Sequence, residues 1–191
     1  MSEDTLRVLG IAGSLRVNSY NKALLRAALE LAPATMEIRP FDLDAIPLYN
    51  GDVEERGDPE PVAALKAAIR EADALLIATP EYNYGVPGVL KNAIDWASRA
   101  ARGERPVLSG KPVAIMGASP GPGGTIRAQL QLRQAFVFTQ TYALAAPEVA
   151  VSRAHEKFDA TGRLTDEPTR EYVKKLLLRL ADWAPRVRGI A

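Results

Sequence analysis

The sequence predicts a doubly wound α/β fold, a five-stranded parallel sheet with helices on both faces. Two observations predict it. Short apolar runs alternate with stretches that carry alanine and leucine at helical spacing, the pattern of repeated strand–helix units. Runs such as Leu6–Ala12 and Ala74–Thr79 are apolar almost throughout, as strands covered on both faces must be.

Leu6–Ala12 reads as the first strand. Asn21–Leu31 reads as a helix that Pro33 stops, and Met36–Phe41 as the second strand. Residues 42–61 form a long polar loop with an apolar island, Ile46-Pro47-Leu48-Tyr49, and a loop of that length beside a site is often functional or mobile. Val62–Glu71 is helical. Ala74–Thr79 is a central strand closed by Pro80, and Pro87–Ala101 is a helix with proline suited to its first turn. Lys111–Ala118 is the fourth strand, Thr125–Phe138 its helix, and residues 141–151 contain the fifth strand. Pro168–Trp183 closes the chain. There is no internal repeat or linker, so one domain over residues 1–191 is expected.

Composition removes several function classes. Lysine plus arginine number 24 against 23 aspartate plus glutamate, which gives no case for a nucleic-acid surface. Cysteine is absent, so thiol nucleophiles, disulfides and thiolate-held metals are excluded. His155 is the one histidine, which removes a multi-histidine metal centre, and no metal ligand is assigned. Redox chemistry here needs a cofactor to hold the electrons. No run approaches the ~20 apolar residues needed to span a bilayer, and a cytoplasmic, non-membrane protein is expected.

Three loops follow the first, third and fourth strands, and in this topology all three reach the carboxyl edge of the sheet, where ligands bind. Gly13-Ser14-Leu15-Arg16-Val17-Asn18-Ser19-Tyr20-Asn21 sets hydroxyls, an amide and a guanidinium at the opening of a helix, where unpaired N–H groups favour a phosphate. Ser19 alone reads equally as a helix cap. No Gly-Lys-Ser/Thr or Gly-x-Gly-x-x-Gly is present. Pro80-Glu81-Tyr82-Asn83-Tyr84-Gly85 offers aromatics for stacking and amides for a polar ring edge, the two faces of a flavin, or else an ordinary rim of amphipathic tyrosines. Ser119-Pro120-Gly121-Pro122-Gly123-Gly124 permits close backbone approach, or serves as a plain turn.

These segments resemble the NADPH-dependent FMN reductase family of the flavodoxin-like superfamily. The matches are Gly13-Ser14-Leu15-Arg16 with Ser19 and Asn21; Pro80-Glu81-Tyr82-Asn83 with Pro87-Gly88 and Leu90–Trp96; and Ser119-Pro120 with Gly123-Gly124 and Leu132-Arg133-Gln134. The resemblance implies a flavodoxin-like fold with FMN as cofactor. It implies the phosphate at Ser14, Arg16, Ser19 and Asn21, and the ring against Pro80, Glu81, Tyr82, Asn83 and Tyr84, with Ser119, Gly123 and Gly124 on the other flank. It also implies NADPH or NADH as hydride donor and a small-molecule acceptor such as a quinone, azo compound, metal oxyanion or free flavin. A homodimer or homotetramer is implied too, with the Leu90–Trp96 helix either at the interface or simply packed. No side chain is required as a catalytic acid, base or nucleophile, because the cofactor carries the chemistry. Arg99, Arg102, Arg105 and Lys111 are candidates for the dinucleotide phosphates, or a solvated face.

Rival readings are an FMN electron carrier without direct NAD(P)H activity and a serine hydrolase using Ser14. Carriers of the first kind are typically acidic, and this chain is near neutral. The hydrolase needs a histidine, and only His155, with Asp159 after it rather than before, is available. A phospho-receiver fails for want of acidic residues after the first strand.

Overall fold

The computed structural model describes residues 5–100 and 103–187. The strands are β1 (Leu6–Ala12), β2 (Met36–Phe41), β3 (Ala74–Ala78), β4 (Pro112–Ala118), β5 (Tyr142–Ala143) and β6 (Val149–Val151). The helices are α1 (Tyr20–Leu31), α2 (Gly51–Glu54), α3 (Glu60–Glu71), α4 (Gly88–Ala97), α5 (Ile126–Thr139) and α6 (Glu167–Val187). The sheet is parallel in the order β2-β1-β3-β4-β5, with β6 also on β4.

The central strands β1, β3 and β4 bury both faces because their side chains alternate between two cores. Val8, Ala12, Leu76, Ala78, Ala114 and Met116 face a cluster completed by α1 and α6. Leu9, Ile11, Leu75, Ile77, Val113 and Ile115 face a second cluster completed by α3, α4 and α5. The doubly wound layout follows from those alternating positions.

The fifth strand position differs from the sequence expectation. It is filled by two short strands, with β5 pairing with Pro112 and Val113 and β6 with Met116, Gly117 and Ala118. Pro147 lies in the interruption and has no N–H to give a ladder. The helix after β3 ends at Ala97, short of the expected Ala101, which lies outside the described residues. The long loop is shorter and firmer than its composition suggests, because it contains α2 and because α3 starts at Glu60. Asn92 Nδ2 and Trp96 Nε1 both donate to the Pro47 carbonyl, at 2.8 and 2.9 Å, and Asn92 Oδ1 accepts from Tyr49 N–H. Thus two buried residues of the Leu90–Trp96 segment hold the apolar island down. Arg99 closes the strap on Glu54 at 2.9 Å. The Tyr49 hydrogen bond, with Arg99 behind it, keeps the Glu54 carboxyl below its ordinary range against the opposing effect of partial burial.

Candidate functional site

At the carboxyl ends of β1, β3 and β4 the three loops meet in an open crevice. It is lined by Ser14, Arg16 and Ser19 from the first loop, Pro80 and Tyr82 from the second, and Ala118, Ser119 and Pro120 from the third. β1 stops at Ala12, and Gly13 N–H still bonds Ala78 at 2.9 Å before the chain turns away. Between Ser14 and Asn18 no backbone N–H has a protein acceptor among the described residues. Ser19 caps α1, accepting from Asn21 N–H at 3.2 Å. The first loop therefore presents a set of uncommitted donors, with Arg16 exposed beside them and the Ser14 hydroxyl 3.3 Å from that of Tyr82.

Asn21 belongs to the crevice but spends its side chain elsewhere. Nδ2 donates to the Ala118 carbonyl and Oδ1 accepts from Ala118 N–H, both at 2.9 Å. Met116 accepts from Thr79 N–H, so Met116 and Ala118 turn their backbone groups toward β3. β3 has ended at Ala78, so on that side no strand neighbour is left for the backbone of Ala118. The Asn21 amide takes the place of the missing peptide. The sequence reading gave this amide to a phosphate; the structure gives it to the backbone of β4, because that backbone is buried and otherwise unpaired.

Glu81 lines the crevice as well, and its side chain is likewise committed to backbone groups. Its carboxylate accepts from Arg127 N–H at 2.9 Å and Ala128 N–H at 3.2 Å, and pairs with Arg127 Nη1 at 2.9 Å. Thr125 makes no side-chain cap, so Glu81 supplies one from another loop, where a carboxylate is favoured by the helix N-terminus.

The second loop is a two-residue hairpin. Tyr82 and Gly85 exchange both backbone hydrogen bonds, and Asn83 and Tyr84 lie at φ 50° and 63°. Asn83 suits that conformation; Tyr84 is strained in it, at a cost of about 1–2 kcal/mol. Helix α5 holds it there. Gln131 accepts from Val86 N–H at 3.1 Å, and the Arg127 guanidinium lies 4.0 Å from the Tyr84 ring centre. Tyr82, Asn83 and Tyr84 remain exposed on the rim.

In the third loop, Ser119 Oγ accepts from Gly121 N–H. Gly124 sits at φ 58°, and a Cβ there would stand 2.8 Å from the Ala150 carbonyl. Residues beyond 151 contribute here: Arg153 and Ala154 N–H donate to the Gly121 and Ser119 carbonyls. Gly117, not singled out in the sequence, permits the tightest approach, since a Cβ would fall 2.3 Å from the Thr79 carbonyl. A lone glycine inside an apolar strand was the available signal. Arg105 and Lys111 line a different concavity, at the amino ends of β3 and β4, and Arg99 is paired with Glu54; Arg102 lies outside the described residues. His155 sits exposed in a single 3₁₀ turn near Glu156, and the partner of Ser14 is Tyr82.

The family model described as NADPH-dependent FMN reductase matches residues 6–156. The chain belongs to that family. It is 53% identical over 189 residues to an NAD(P)H-dependent FMN reductase of Pseudomonas aeruginosa, covering 99% of this chain and 100% of the relative. It is 40% identical to a 2-hydroxy-1,4-benzoquinone reductase of a Burkholderia species, covering 93% of this chain and 96% of that one. FerB, a flavoenzyme NAD(P)H:acceptor oxidoreductase of Paracoccus denitrificans, superposes with a TM-score of 0.86 at 34% identity, covering 96% of this chain and 99% of FerB. The protein is an NAD(P)H-dependent oxidoreductase of the FMN reductase type, with a flavodoxin-like fold and FMN as cofactor. The crevice fits that cofactor. Uncommitted N–H groups, two serine hydroxyls and a guanidinium match a terminal phosphate, and the proline and tyrosine walls match a flat ring.

Proposed function

We propose that the chain reduces quinones with electrons from NAD(P)H, using FMN seated across the three loops. The observation that carries this reading is the run of unpaired N–H groups from Ser14 to Asn18 beside Arg16 and Ser19. In this reading these groups hold the phosphate. The ring rests against Pro80, Tyr82, Asn83 and Tyr84, flanked by Ser119, Gly123 and Gly124. Asn21 and Glu81 act one step removed, fixing the first loop to the third and the second to α5. Quinone as acceptor is supported by the Burkholderia relative.

FMN, when bound, accepts hydride from NAD(P)H and passes electrons to the second substrate. The chain's own residues bind and orient. Backbone N–H groups and Arg16 would hold the phosphate, and Pro80, Tyr82 and the hairpin would supply the wall against which the ring is placed. No side chain is assigned a proton-transfer or nucleophilic role.

The same reading includes a single domain over residues 1–191, a cytoplasmic location, because reduced dinucleotides are maintained inside the cell, and self-association as a dimer or tetramer. Self-association is supported by the outer face of α5. Ile126, Leu130 and Val137 fall in one helical stripe, with Phe138 beside it, and Val137 and Phe138 are 80% and 85% exposed. Anaerobic titration of the FMN-loaded protein with NADPH tests the reading. Bleaching of the flavin band followed by recovery on quinone addition is expected; a yellow protein that neither NADPH nor NADH bleaches overturns it. Arg16→Ala is expected to weaken FMN binding by ~1.5–3 kcal/mol. Unchanged affinity removes Arg16 from the phosphate site.

A further inference from the structure

We propose that Arg127 selects among electron acceptors, favouring quinones that carry a negative charge beside the reducible ring. The inference rests on the placement of FMN across the three loops proposed above.

Arg127 stands where the second and third loops meet. Its Nη1 is 2.9 Å from Glu81, its guanidinium carbon is 4.0 Å from the centre of the Tyr84 ring, and a Cβ on Gly123 would lie 3.3 Å from Nη1. The pair is polarised. The Glu81 side chain is 7% exposed and the Arg127 side chain 49%, so the anion is turned inward and the cation outward. Glu81 also spends its charge on two N–H groups at the start of α5, so it does not silence the guanidinium in front of it. Among the described residues, the other N–H groups of the Arg127 side chain have no protein acceptor.

Stacking on Tyr84 and the bond to Glu81 fix the guanidinium in advance, so little side-chain entropy remains to be lost when an anion arrives. Arg16, the guanidinium that lines the crevice itself, lies in the first loop with the phosphate donors. Arg127 stands beside the second loop, held by Glu81 and Tyr84, whereas Arg153 beside the third loop is turned toward Glu156. A sulfonate, carboxylate or enolate oxygen on the acceptor adds ion-pair attraction to the hydrogen bonds it takes there; a neutral quinone offers only carbonyl oxygens, without that attraction. The overall step needs no further reagent: NAD(P)H, a solvent proton and the quinone give NAD(P)⁺ and the hydroquinone, with the hydride's two electrons ending on the quinone.

A purely bracing role for Arg127, holding the strained hairpin, would affect every acceptor alike. The experiment separates the two. The NADPH-reduced, FMN-loaded enzyme is reoxidised with 1,4-naphthoquinone and with 1,4-naphthoquinone-2-sulfonate, for the native chain, Arg127→Gln and Arg127→Lys, with flavin content measured in each. Arg127→Gln is expected to lower the sulfonate-to-neutral ratio of kcat/KM about tenfold, and Arg127→Lys to restore most of it. An equal fall for both quinones overturns the proposal. So does a change confined to flavin reduction by NADPH, which would give Arg127 to the dinucleotide phosphates. If Arg127→Gln fails to fold or to hold FMN, the native enzyme decides: its ratio should fall between about 20 mM and about 500 mM salt, and a flat ratio overturns the proposal. Failure of the FMN placement is read separately, as unchanged FMN affinity in Arg16→Ala.

Discussion

Replacing Asn21 by alanine separates a clamp from a ligand. The side chain is buried and makes two hydrogen bonds of 2.9 Å to the backbone of Ala118. Each is worth about 0.5–1.5 kcal/mol net, and a buried N–H or C=O left without a partner costs about 1–3 kcal/mol. The space left by the amide admits a water to one of the two groups, so the expected loss is about 2–4 kcal/mol. With a urea slope near the upper end of ~1–3 kcal/mol/M for a chain of this size, the midpoint should drop by about 0.7–1.3 M. Urea unfolding followed by far-UV circular dichroism measures the loss, and quenching of flavin fluorescence in the folded range measures FMN affinity. The clamp predicts a large stability loss with FMN affinity changed by less than about threefold while the protein remains folded. A stability change below about 0.5 kcal/mol together with a tenfold weaker flavin refutes the reasoning and returns Asn21 to the phosphate.

Three further outcomes follow from the geometry. Gly117→Ala drives a methyl to within 2.3 Å of a backbone carbonyl and should cost at least ~3 kcal/mol, read as a melting temperature lowered by about 6–12 °C; a variant as stable as the parent contradicts the close approach. Asp166 caps α6 through Thr169 and pairs with Lys157, and the Thr169 hydrogen bond comes first in holding its carboxyl below the ordinary range. A depressed folded value stabilises above the unfolded value of ~3.9 and is lost as pH falls through the folded one, so Asp166→Asn should be less stable than the parent at pH 7, with the gap closing in denaturation curves taken below about pH 4. Phe138→Glu puts a charge on the apolar face of α5 and should lower the assembled mass seen by sedimentation; an unchanged mass moves the interface off that helix.

The sheet was legible because a strand buried on both faces must be apolar almost throughout, and β1, β3 and β4 match the runs read from the chain to within one residue. The three loops were legible because strand-to-helix connections of this topology converge on one edge whatever their sequence. The split of the fifth strand was not, since Pro147 marks an interruption without saying that pairing resumes at Val149. The looped segment after β2 reads as mobile in composition and is strapped in fact, because its anchors Asn92 and Trp96 lie more than forty residues away in sequence.

The sequence by itself determined the fold and the family, through local periodicity and short motifs that name residue types in order. Only the tertiary structure decided which of those residues are free to meet a ligand. Asn21 and Glu81 carry the right chemistry for the crevice, yet the side chain of each is committed to a backbone that the fold leaves unpaired: the end of β4 beyond the last residue of β3, and the start of α5 where Thr125 does not cap. A buried polar group must find a partner, and which partner is nearest is a property of three-dimensional proximity that spacing along the chain does not encode.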